Sequence, residues 1–120
     1  MIDEVYLTID AIIAAQKKAR KENDFLTLLV NSEALLEYLP SLINYSVNQE
    51  SEYRKFEAKL IDEKDENGKR FSGAYCETKS KATDYYRDWQ RAKLFIELIY
   101  EMVMMGKKLA GSVDKELNAS

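Results

Sequence analysis

The chain has 120 residues, 46% of them apolar and 32% charged, with a formal charge of −3 and a pI near 5.1. That is one domain's worth of chain with enough apolar content for a core, and its negative balance offers no bulk attraction to nucleic acid or anionic membrane. Four glycines and one proline are too few for the repeated turns of an all-β fold, a single cysteine excludes an intrachain disulfide or a zinc-binding cysteine pair, and the lack of histidine removes the commonest general base.

The first segment, Met1-Ile2-Asp3-Glu4, is acidic where a secretory signal would be basic, which predicts a cytosolic protein. Ile2, Val5, Tyr6, Ile9, Ile12, Ile13 and Gln16 fall at helical spacing and predict a helix over about residues 2–22. Its acidic start and its basic end, Lys17, Lys18, Arg20 and Lys21, complement the helix dipole. Asn23 and Asp24 offer an N-cap for a second helix over about 24–39, with Phe25, Leu28, Leu29, Leu35, Leu36 and Leu39 on its inner face.

Pro40 lacks a backbone donor and disfavours helical geometry in the residue before it, which predicts a break or sharp kink. Leu42, Ile43, Val47, Tyr53, Phe56, Leu60 and Ile61 then continue at helical spacing over about 41–65, with a short loop near Ser46–Gln49 as the alternative. The run from Asp65 to Arg70 contains Asn67-Gly68, which readily takes left-handed backbone angles and reads as a connection between antiparallel helices.

Ser72 is predicted to cap a long last helix over about 72–115, with 116–120 as a frayed tail. Tyr75, Thr78, Ala82, Tyr85, Trp89, Ala92, Ile96, Ile99, Val103, Gly106, Ala110, Val113 and Leu117 follow one another in steps of three and four, a heptad-like seam. The predicted fold is therefore all-α: a single domain, an antiparallel bundle of three to four helices around this long C-terminal helix. No apolar run reaches the roughly 18–20 residues that span a bilayer. The nearest, residues 94–105, is interrupted by Glu97 and Glu101.

Three constellations bear on function. A second apolar row on the last helix, Leu94, Leu98, Met102, Met105 and Leu109, makes that helix greasy on two faces and marks a candidate oligomer or partner interface; a methionine-rich core accounts for the same pattern. Lys79, Lys81, Arg87, Arg91 and Lys93, interleaved with aromatics, form a candidate nucleic-acid stripe. Asp84 and Asp88 stand three residues before Arg87 and Arg91 and are placed to cancel them, so a solvated charged face is the favoured reading. Glu33, Glu37, Glu97 and Glu101 could in principle cage metals, but without histidines they read as polar stripes, and no metal or cofactor is expected. Cys76 has no partner base and reads as a bystander.

The run Ser72-Gly-Ala-Tyr-Cys-Glu-Thr-Lys, followed by Tyr85-Tyr-Arg-Asp-Trp and a long final helix, resembles small all-helical proteins encoded by bacteriophages and prophages, over about residues 53–110. The resemblance implies a small accessory protein of a bacterial cytoplasm that acts by binding: to itself, to a host or phage protein, or to replication and recombination machinery. The expected function is thus a non-enzymatic, homo-oligomeric interaction protein, with nucleic-acid association as the alternative and no membrane partner.

Overall fold

The computed structural model describes residues 2–119, with side chains through Leu109. It is an all-α fold of four helices: α1 (Ile2–Lys21), α2 (Phe25–Asp62), α3 (Gly73–Lys81) and α4 (Asp84–Ala119). Helices α2 and α4, of 38 and 36 residues, each run through two compact units. One unit comprises Met1–Pro40 with Phe95–Ser120, the other Ser41–Leu94.

In the first unit, α1 presents Tyr6, Ile9, Ile13, Gln16 and Ala19 inward, much the face its spacing predicted. They meet Leu28, Leu35 and Leu39 of α2 and Phe95, Ile99 and Val103 of α4 in the buried core. Tyr6 stacks on Phe95, Gln16 reaches the carbonyl of Met102 and Arg20 reaches Met105, so α1 and α4 run parallel. The α1–α2 turn reverses the chain, which sets α2 antiparallel to both. There the Asp24 N–H bonds the Ala19 carbonyl and the Asn23 N–H that of Arg20, the double bond that closes a helix on a left-handed residue. Asn23, at φ 54°, is that residue. Asp24 at once caps α2, its carboxylate accepting from the Thr27 N–H and hydroxyl.

Pro40 does not break the chain into two helices; α2 passes through it. Leu35, Leu39 and Leu42 stay buried on either side while Pro40 itself is exposed. The loop alternative near Ser46 is likewise replaced by helix, with Ser46 buried.

In the second unit the Asp65–Arg70 connection is a miniature hairpin. Lys64 and Arg70 form an isolated antiparallel bridge, and Gly68 takes φ 75°. The Asp65 carboxylate accepts from the backbone of Asn67 and Lys69. Ser72 does cap a helix, its hydroxyl accepting from the Tyr75 N–H, but that helix is the short α3.

The single helix predicted over 72–115 is interrupted at Ala82–Thr83. Thr83 serves both ends: its hydroxyl donates to the Ser80 carbonyl at the end of α3 and accepts from the Tyr86 N–H in the first turn of α4. The break resets the helical phase. Cys76 and Ser80 are buried, whereas Tyr75 and Tyr85, both assigned to the seam, are exposed. From Trp89 to Gly106 the seam does face inward, joined by Phe95, which the spacing had left out. The seam side chains of Ala110, Val113 and Leu117, and the tail's side chains, lie outside the described residues.

Candidate functional site

Two concave surfaces stand out, one in each unit. The first lies between α1 and α4, a cavity of about 440 Å³ lined by Lys17, Arg20, Lys21, Met102 and Met105. It is apolar on its α4 wall and basic on its α1 bank. The α4 wall belongs to the row picked out by spacing: Leu98, Met102, Met105 and Leu109 are half-buried, and Leu94, in the other unit, is 54% exposed. A half-buried row is what a helix leaves when its neighbours cover one flank incompletely. Arg20 bends over the groove, its guanidinium 3.3 Å from the Met105 sulfur. Lys17 and Lys21 have no ion pair among the described residues, since the nearby pair joins Lys18 to Glu22.

Beneath this groove the three helices cross on a polar knot. Gln16, fully buried, donates to the Leu28 carbonyl and the Ser32 hydroxyl, each at 3.1 Å, and approaches the Met102 carbonyl at 3.5 Å. Ser32 in turn donates to Leu28. Gly106 makes the crossing possible: a Cβ there would stand 2.5 Å from the Ser32 hydroxyl and 2.9 Å from the Gln16 amide nitrogen. The knot fixes the wall bearing Met102 and Met105 against α1.

The second cavity, about 500 Å³, belongs to the other unit. It is lined by Tyr53, Arg54 and Glu57 of α2, Cys76, Glu77 and Lys81 of α3, and Tyr86 and Trp89 of α4, among others. Tyr53, Tyr86 and Trp89 pack on one another with centroids 5.1–6.0 Å apart. Arg54 lies over Tyr53 and Trp89, and Lys93 over Trp89 at 4.6 Å. Burial pushes the Tyr53 phenol up, and the Glu57 carboxylate that accepts its hydrogen bond pushes it further.

The basic stripe is distributed over this region with most of its charge engaged. Lys81 pairs with Glu77 at 2.7 Å, Arg87 with Asp84 and Asp88, and Lys79 lies over Tyr75. Arg91 is exposed and Lys93 caps the indole. The pairing of Asp84 with Arg87 is the one its spacing anticipated. Cys76 is a free thiol buried on the inner face of α3.

Glu33, Glu37, Glu97 and Glu101 are all exposed, and among the described residues no group of three His, Cys, Asp or Glu side chains could hold a metal ion. Among the described residues no helix is long and apolar enough to cross a membrane. The chain matches no protein-family model, no curated protein and no solved structure.

The basic bank was not legible as part of a site. Lys17, Arg20 and Lys21 are explained locally by the α1 dipole, and only the packing of α1 on α4 brings them beside Met102 and Met105. Of the second cavity, Tyr53 was legible only as one apolar position in the helical spacing over about 41–65, and Arg54 carried no signal of its own.

Proposed function

We propose that this protein is a non-enzymatic helical interaction protein that self-associates and binds other protein through the α1–α4 groove. The observation that carries the reading is the half-buried methionine wall edged by lysines that have no ion pair among the described residues. Methionine surfaces adapt to an apolar helix face, and a basic bank selects one that carries acidic residues. The resemblance to small phage and prophage proteins supports an accessory role of this kind in a bacterial cytoplasm. Binding to nucleic acid is the weaker reading, because Lys81 and Arg87 are already neutralised by neighbouring carboxylates.

Light scattering on the purified chain across a hundredfold concentration range tests it. The expected result is a concentration-dependent oligomer that Met102→Glu and Met105→Glu convert to a monomer with its helical circular dichroism intact. A wild-type chain monomeric throughout that range would overturn self-association.

A further inference from the structure

The first unit carries a second exposed surface whose chemistry mirrors the groove. On α2, opposite the buried Leu28, Ser32, Leu35 and Leu39, lie Leu26, Val30, Glu33 and Glu37. Leu26 is 73% and Val30 56% exposed. Glu33 and Glu37 are exposed and have no ion pair among the described residues. The stripe advances by four, three and four residues. So does the half-buried row of α4 to which the groove's Met102 and Met105 belong, Leu98, Met102, Met105 and Leu109. Each row therefore extends about 16 Å along its helix. One presents two aliphatics and two unpaired carboxylates, the other a half-buried apolar row beside two unpaired ammonium groups.

We infer that the groove's occupant is the outer face of α2 from a second copy of this chain. This rests on the self-association proposed above and specifies its geometry. Glu33 and Glu37 of one copy meet Lys17 and Lys21 of the next, while Leu26 and Val30 cover the apolar wall toward Leu98. Stripe and groove are different patches, so the contact is head-to-tail. Each copy uses its groove on one neighbour and its stripe on the other, which builds a ring or an open chain rather than a two-fold dimer. Leu26 and Val30 thereby lose the exposure that a lone copy leaves them.

Charge reversal and its rescue test this on the full chain. Glu33→Lys/Glu37→Lys and Lys17→Glu/Lys21→Glu each set like charges together, and each is expected to weaken association by about tenfold or more. The chain carrying all four reversals restores opposite signs and is expected to recover to within about threefold of wild type. Glu97→Lys/Glu101→Lys reverses the acidic face of α4 as a control and is expected to leave assembly unchanged. All six positions are exposed, so helical circular dichroism should be the same for every variant.

An oligomer untouched by Glu33→Lys/Glu37→Lys, a fourfold reversal that stays dissociated, or dissociation by the α4 control alone would each overturn this docking while leaving self-association standing. A wild-type chain that never associates would overturn both.

Discussion

The two units are stabilised by different physics. The first is tied by burial: Ile9, Leu28, Leu35 and Ile99 are fully enclosed, and the one polar group of size among them, Gln16, places its amide N–H group on backbone and hydroxyl acceptors. The second encloses fewer large aliphatics and depends more on aromatic contacts, on cations laid over rings, and on short-range ion pairs such as Glu77–Lys81 and Arg54–Glu57. Burial of apolar area tolerates salt and is lost through cavities. Half-exposed charge contacts are individually small and are screened. Side-chain truncation should therefore hurt the first unit most, and solution conditions the second.

The largest effect is expected from Ile99→Ala. A fully buried aliphatic on the inward face of α4 leaves a cavity when truncated, and the loss should be about 2–5 kcal/mol in denaturant unfolding. Next comes Gly106→Val, which forces a side chain into the crossing of Gln16 and Ser32 and should cost about 1–3 kcal/mol. Valine and glycine differ little as helix formers, so the cost reports the clash and not the propensity. Adding Ser32→Ala should recover part of it, because the hydroxyl is the nearest obstacle. Strict additivity of the two changes would deny that the helices cross so closely.

Those predictions also show where the sequence could be read and where it could not. The α1 face and the Asp24 cap follow from short-range chemistry, in which residues a few positions apart satisfy one another, whereas Asn23, read beside Asp24 as a cap for α2, instead closes α1. Of the two outcomes expected at Pro40 the break does not occur, because the buried positions continue on the other side of the helix. Thr83, where a break does occur, was missed. The three-and-four spacing runs through it unbroken, and a single hydroxyl that caps two helix ends leaves no mark in a hydrophobic pattern. Of the candidate groove, Met102 and Met105 were visible as a row. The bank of Lys17, Arg20 and Lys21, some 85 positions away in sequence, appears only once α1 and α4 pack.

In the second unit, Arg54→Met keeps most of the aliphatic stem and removes the cation from Tyr53 and Trp89. A loss of about 0.5–1 kcal/mol is expected, read through the fluorescence of Trp89, the chain's one tryptophan. The loss should shrink in high salt, since Arg54 also stands within 3.8 Å of Glu50 and Glu57. An undiminished loss at high salt would mean that Arg54 acts by packing alone, and the contrast between the units would weaken.

The smallest effects are those of pH, and their sign separates the units again. Hydrogen bonds from the Thr27 hydroxyl and N–H hold Asp24 below its ordinary 3.8, and the Lys81 ammonium holds Glu77 below its ordinary 4.5. A carboxylate lowered in the folded state contributes stability above its ordinary value, and that contribution is lost as the pH falls through the lowered one. Both units should therefore weaken slightly on the acid side, the first less so in Asp24→Asn and the second less so in Glu77→Gln. At alkaline pH the units part. Glu77 raises Lys81 above 10.5, and burial raises Tyr53 above 10.0; stability linked to a raised group is complete below the ordinary value and is lost as the pH climbs through the raised one. Both groups lie in the second unit. Tyr53→Phe should flatten the alkaline decline seen by Trp89 fluorescence while leaving the acid side unchanged. An alkaline decline that survives Tyr53→Phe combined with Lys81→Met would place the titrating group elsewhere and remove pH as a distinction between the two units.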